Sequence, residues 1–273
     1  MPHLRLPDAE LWYEEHGEGP PLMMVAGLGG VGTYWLPNLP AFTVKYRVIL
    51  HDQRGTGRST RIPVESVAQM ARDSVALLDH LGLDNVDWVG HSTGGAIGTC
   101  VALDHSGRIN RLVINSSTTY GDVYRRKLFY IRRLLHARIG AEAYAAHTSL
   151  LLYPPWWINK HADILAAEEM RAGANLGAPA VQESRLDAIL NYDRRADLPR
   201  LDVPTLVLCA RDDILTPSYF SEELARLIPG ARLELLETGG HACSRTMAER
   251  FNQCVLNFLS DNTDSNNQNP FSA

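Results

Sequence analysis

Short apolar runs recur along this 273-residue chain: PLMMVAG (21–27), YRVILHD (46–52), VDWVG (86–90), RLVIN (111–115), TLVLCA (205–210) and RLELLE (232–237). Most do not alternate with polar residues, as a strand with one wet face would. Strands read this way are covered on both faces, the condition of a parallel sheet. Between the runs, apolar residues return at helical spacing, as at Val67, Met70, Ala71, Val75 and Leu78 within 64–81, and again over 93–103 and 218–228. Strand and helix in turn define an α/β fold, a mostly parallel central sheet flanked by helices. Ahead of it, Leu4–Leu6, a Pro-Asp turn and Leu11–Glu15 read as a hairpin.

The rhythm breaks once. From Thr119 to Asp197 helical patterns recur without a strand, punctuated by LLYPPWWI at 151–158. Inserted after the sixth strand, this segment is expected to form a helical cap (119–197) over the carboxyl edge of the sheet, where such folds bind ligands. The core is then 1–118 with 198–260, and the polar, low-complexity stretch 261–273 is expected to be a disordered tail.

An apolar content of 45% supports a substantial core, while a net charge of -5 gives no reason to expect nucleic acid or an anionic membrane as partner. Residues 19–44 carry no charge, yet Pro20, Pro21, Pro37 and Pro40 would break a spanning helix there. The N-terminus shows no basic region followed by an apolar one, and Cys100, Cys209, Cys243 and Cys254 lack C-x-x-C spacing. Reduced thiols in a cytoplasmic protein, without disulfides, metal or cofactor, are the expectation. The partner expected is a small-molecule substrate, with a homo-oligomer left open.

Gly90-x-Ser92-x-Gly94 follows the third long run and opens a helical stretch, the pattern of a nucleophile elbow. A serine hydroxyl needs a base to take its proton and an acid to orient that base. His241, in TGGHA directly after RLELLE, and Asp212 or Asp213, directly after TLVLCA, both fall at strand ends. The order Ser, Asp, His is that of α/β-hydrolases. Thr216-Pro217 predicts a helix N-cap followed by proline at the first position, and Thr246-x-x-Glu249 predicts a capping box.

A rival class is visible in Gly27-x-Gly29-x-x-Gly32 with Asp52 twenty residues on, the spacing of a dinucleotide-binding oxidoreductase. That fingerprint must open a helix, and Pro37 and Pro40 follow at once, so a loop is the better reading. Its flexible backbone suits an oxyanion hole, with Leu28 and Thr93 as the N–H donors. A non-catalytic binding protein is the third class, disfavoured by the triad. His91 adjoins Ser92 and is expected to pack or to face solvent, because neighbours at a sharp turn diverge. Tyr34, Trp35, Tyr153, Trp156 and Trp157 are candidates for the substrate pocket, with core packing the plain alternative for each. Residues 124–138 hold six Arg or Lys and no acid beside an apolar stripe of Leu128, Ile131 and Leu135. Such charge usually marks a solvated helix face; its functional reading is attraction of a carboxylate-bearing substrate.

Together these residues resemble the α/β-hydrolase superfamily from the first strand to Leu259. More narrowly, GLGGVGTYWLPNL, YRVILHDQRGTGRS, LLYPPWWI and GGHAC resemble the pyrimidine-utilisation RutD group. The resemblance implies Asp213 as the acid, a structural role for Asp52, Arg54, Gly55 and Gly57, and hydrolysis of a C–N bond in aminoacrylate or carbamate. Not every member of that group has serine at the elbow. With Ser92 present, a carboxylesterase or an enol-lactonase is the alternative.

Overall fold

A computed structural model describes residues 2–261 of the chain. Eight strands form one sheet in the order β1-β2-β4-β3-β5-β6-β7-β8. They are β1 (His3–Arg5), β2 (Glu10–His16), β3 (Pro21–Val25), β4 (Arg47–His51), β5 (Val86–His91), β6 (Ile109–Asn115), β7 (Thr205–Ala210) and β8 (Arg232–Leu236). The predicted hairpin forms as the antiparallel pair β1–β2, β2 joins β4 antiparallel, and every later pairing is parallel.

Along the central strands the side chains alternate between two cores, which is why their sequences read as unbroken apolar runs. Met23, Val25, Trp88, Leu112, Ile114 and Val207 enter one core. Leu22, Met24, Val89, Val113, Leu206 and Leu208 enter the other. The first core is closed by α2 (Val67–His80), α3 (Thr93–Asp104) and α9 (Ser218–Leu227); the second by α1 (Leu39–Phe42) and α11 (Ala248–Ser260), with α10 (Cys243–Thr246) between β8 and α11.

Between β6 and β7 run α4 (Val123–Leu134), α5 (Ala141–Leu152), α6 (Pro155–Lys160), α7 (Ala162–Asn175) and α8 (Pro179–Leu190). They cover loops at the carboxyl ends of the strands: Leu152 O accepts the Ala242 N–H at 2.9 Å, and Arg185 of α8 bonds Leu28 O after β3. Because β4 and β5 lie on opposite sides of β3, the strand order reverses at the β3–β5 crevice, where ligands of open α/β sheets bind.

Three local expectations are corrected. Pro217 itself occupies the N-cap of α9 and Thr216 stands outside it, its hydroxyl turned to the site described below. Met247, not Thr246, caps α11 without a side-chain bond, because Thr246 Oγ1 donates to Gly239 O at 2.6 Å. On α4 part of the charge turns inward: Arg125 and Arg132 are 2% and 3% exposed and Ile131 of the apolar stripe is 49% exposed, whereas Leu128 is buried and Arg126 and Lys127 face solvent as read. The expected tail lies outside the described residues apart from Asp261. Among the described residues no helix is long and apolar enough to cross a membrane, and the four cysteines are free thiols.

Candidate active site

Ser92 sits between β5 and α3 with φ 52° and ψ -115°, a conformation that L residues other than glycine rarely hold. Its neighbours show why glycine flanks it. A Cβ on Gly90 would lie 2.2 Å from Gly94 O, and one on Gly94 would lie 2.2 Å from Val25 O. Only with both side chains missing can the chain reverse from strand to helix against β3 and leave Ser92 at the turn.

The elbow also aims a donor. Ser92 O accepts Gly95 N at 3.0 Å, Ala96 N at 3.3 Å and Ser117 Oγ at 2.7 Å, so it points into the helix. In a trans peptide the Thr93 N–H must point the opposite way. That N–H is the first of α3, one of the donors a helix leaves unpaired at its positive end. Leu28 is set by the same rule. Gly27 O accepts Gly30 N at 3.0 Å, which turns the Leu28 N–H away from it. Among the described residues no protein acceptor takes either amide. Gly32, the last glycine of this loop, donates its N–H to Asp52 Oδ1 at 2.9 Å, and Asp52 also accepts from Arg58. Asp52 thus braces the loop, Arg54 pairs with Asp73, and Gly55 and Gly57 take φ of 86° and 53° in the turn, all structural roles.

His241 donates from Nδ1 to Asp213 Oδ2 at 2.8 Å; the histidine is 1% exposed and the aspartate 3%. This bond fixes the tautomer and leaves Nε2 as the proton acceptor. Asp213 Oδ1 takes the N–H groups of Leu215 and Thr216, each at 2.8 Å. Asp212 does different work: it accepts from Thr238 Oγ1 at 2.6 Å and from Gly240 N at 2.8 Å, holding the loop that carries His241. The two adjacent acids take different partners on one loop, Asp212 the backbone of Gly240 and Asp213 the His241 ring, and this separates their roles.

Two contributors were not foreseen. Thr216 Oγ1 lies 2.8 Å from Asp213 Oδ2, 2.9 Å from Ser116 O and 3.1 Å from His241 Nδ1. Its hydroxyl lies between the acid and the carbonyl that follows β6, with one proton to give to either oxygen. Arg185, fully buried, reaches from α8 to Leu28 O at 2.9 Å, Arg54 O at 2.6 Å and Gln53 Oε1 at 2.7 Å. Gln53 in turn donates to Ala26 O at 2.7 Å. Burial lowers the Arg185 pKa to about 10, so it remains a cation at neutral pH. The signal for Thr216 was its place three residues after Asp213; for Arg185 no sequence signal exists, because its contacts span the chain.

His91 is the packing residue of the two alternatives for it. Buried, it stacks on Tyr34 with centroids 4.6 Å apart, and its ring centroid is 4.7 Å from that of His241. Burial first, then the charges of His241 and Arg245, hold its pKa well below the histidine range. Tyr34 uses its hydroxyl on Ser244 Oγ at 2.7 Å. Tyr153 and Trp157 stack at 4.3 Å and pack with Leu165 on Ala242, next to His241. The Tyr153 hydroxyl accepts from Arg245 at 2.6 Å. Two pocket candidates are corrected. Trp35, at the end of the turn Gly32–Trp35, is fully buried in the second core against Phe251, the packing alternative for it. Trp156 is 44% exposed and donates to Thr238 Oγ1, pinning α6 to the histidine loop from outside. Among the described residues no group of three or more His, Cys, Asp or Glu is placed to hold a metal.

The sheet order and elbow define the class of protein. Residues 20–244 match the family model for the alpha/beta hydrolase fold, and the chain belongs to that family and is a hydrolase. Its relatives include RutD of Azorhizobium caulinodans, provisionally named a carbamate hydrolase, 37% identical over 96% of this chain and 99% of that one. Among solved structures, a hydrolase from Pseudomonas aeruginosa PA01 superposes with a TM-score of 0.88 at 28% identity, covering 95% of this chain and 98% of the other. The enol-lactonase of Burkholderia xenovorans LB400 gives 0.89 at 24% identity, covering 95% and 100%, a likeness of fold.

Proposed function

We propose that the protein is a serine hydrolase that cleaves a small substrate through an acyl-enzyme, with the C–N bond of a carbamate as the bond broken. Ser92 Oγ attacks the carbonyl carbon while His241 Nε2 takes its proton and Asp213 stabilises the imidazolium. The carbonyl oxygen becomes an oxyanion facing the Leu28 and Thr93 N–H groups. Collapse re-forms the carbonyl and breaks the C–N bond, and His241 returns the proton to the leaving nitrogen. Water repeats the cycle on the acyl-enzyme. The helices of 119–197 serve as the cap, and 1–118 with 198–260 as the core.

The observation that carries this reading is Ser92 at φ 52° between two obligatory glycines, at the same strand ends as a buried His241–Asp213 pair joined at 2.8 Å. The 37% identity to a RutD protein supports the carbamate. A second reading, carboxylesterase or enol-lactonase, is favoured by Ser92 itself, since acyl transfer to serine suits an ester or lactone as well as an amide. A fluorophosphonate should label Ser92 alone, and the Ser92→Ala protein should lose turnover by about 10⁴-fold or more. Unlabelled folded protein, or labelling elsewhere, ends the proposal. Comparing carbamates with p-nitrophenyl esters and enol-lactones decides between the two readings.

A further inference from the structure

We propose that Arg125, on the inward face of α4, is an anion subsite that receives a carboxylate on the substrate distal to the scissile bond. This deepens the hydrolase reading and rests on it for the reaction, but not for the binding. The residue is 2% exposed, its Nε has no partner, and its Nη1 makes only a long 3.4 Å bond to Tyr120 O. A guanidinium carries about five N–H donors, so most of this group's capacity is unused inside the protein.

The molecule provides its own control. Arg54, 3% exposed, has a two-point ion pair with Asp73 at 2.8 Å and a further one with Asp8. Arg185 has three oxygen acceptors within 2.9 Å. Buried arginines in this chain are therefore satisfied, with Arg125 and its helical neighbour Arg132 as exceptions. Arg132 also has an unpartnered Nε and a single bond, 3.2 Å, to Thr148 Oγ1. The acid nearest in sequence is occupied: Asp122 Oδ1 caps the Arg125 N–H and Oδ2 accepts from the Tyr219 hydroxyl at 2.5 Å.

Position points the same way. Tyr124 donates its hydroxyl to Ile214 O at 2.5 Å, which seats the first turn of α4 on the residue beside Asp213. The Arg125 guanidinium stands 5.0 Å from the Phe129 ring and 5.8 Å from that of Phe220, at the first turn of α9. The charges of Asp122, Asp213 and Tyr219 act on it favourably and that of Arg132 unfavourably. Burial lowers its pKa to about 10, which leaves it cationic at neutral pH. A buried cation with most of its donors unpartnered is unfavourable until an anion meets it, and a carboxylate matches the guanidinium fork with two parallel bonds. The substrate class is thus a small monoanion, a carbamate, ester or lactone with a carboxylate at its far end.

Two matched esters test this, mono-p-nitrophenyl succinate and p-nitrophenyl butyrate. Arg125→Gln should raise KM for the succinate ester about tenfold or more, and leave kcat/KM for the butyrate ester within about threefold. Arg125→Lys should recover part of the loss. Equal loss on both esters, or none on either, overturns the subsite. Binding of monomethyl succinate to Ser92→Ala protein, followed calorimetrically, judges it without chemistry. Loss of that binding in the Ser92→Ala, Arg125→Gln double variant supports the subsite even if wild-type protein turns over neither ester, in which case only the hydrolase reading fails. Unchanged binding overturns the subsite while leaving the hydrolase reading intact.

Discussion

Arg185 ties α8 to the proposed oxyanion loop, and replacing it with methionine gives the sharpest prediction. The substitution keeps most of the apolar stem but strands three buried acceptors: Leu28 O, Arg54 O and Gln53 Oε1. Each unsatisfied buried group costs about 1–3 kcal/mol. Against this, a desolvated cation is relieved; lowering of its pKa from 12.5 to about 10 corresponds to roughly 3 kcal/mol. The net loss of stability should therefore lie between about 0 and 6 kcal/mol, centred near 3, within the margin of most folded domains. Activity should suffer more. Without the guanidinium, Gln53 loses the partner that orients its amide toward Ala26 O, and the Leu28 peptide loses its anchor. Misplacing one oxyanion donor is worth about 10²–10³ in kcat. We expect kcat on a p-nitrophenyl ester to fall about 100-fold with KM little changed, and Arg185→Lys to fall between, since one ammonium cannot reach all three acceptors. A folded Arg185→Met protein with wild-type kcat, or one that loses KM alone, refutes the reasoning.

Three other outcomes follow from the geometry. Gly94→Ala would place a methyl 2.2 Å from the Val25 carbonyl, so it should cost at least about 3 kcal/mol in a denaturant melt and abolish fluorophosphonate labelling. Thr216→Val removes a hydroxyl 2.8 Å from Asp213 Oδ2 and 2.9 Å from the buried Ser116 O, and should lower kcat/KM about 5- to 10-fold and stability by about 1–3 kcal/mol in a denaturant melt. Asp87 is buried with Oδ1 unpartnered, and desolvation raises its pKa to about 6 against a small opposing pull from Arg111. Between pH about 4 and 6 the folded protein therefore holds a proton that the unfolded chain has released, so this group's contribution to stability falls as pH rises through that window. Asp87→Asn should stabilise by up to about 3 kcal/mol at pH 7.5 and by little at pH 3.5, read from paired melts.

Much of the scaffold was legible because it rests on local chemistry. Unbroken apolar runs implied strands with two covered faces, and the strands appear with side chains alternating between two cores. The elbow was readable because steric exclusion at Gly90 and Gly94 leaves almost no other residue possible there. His241 and the pair Asp212–Asp213 were readable because parallel strands deliver the ends of β7 and β8 to one rim, and the family resemblance favoured Asp213. Aromatic residues were less legible: burial does not distinguish Trp35, in the core, from Tyr153 and Trp157 beside the histidine loop.

Sequence alone therefore determined the alternation of strands and helices, the mostly parallel sheet and which residues stand at the rim, since each follows from periodicity and turn sterics. Only the tertiary structure decided which acid faces the imidazole, which face of α4 turns inward, and what holds the oxyanion loop. Asp212 and Asp213 are alike in composition and differ in the partners that the fold brings to each. Arg125, Arg132 and Arg185 look like surface charge in a helix pattern, and their burial depends on partners and cavities far away in the chain. Those contacts join residues separated by as many as 157 positions, a distance across which no local rule acts.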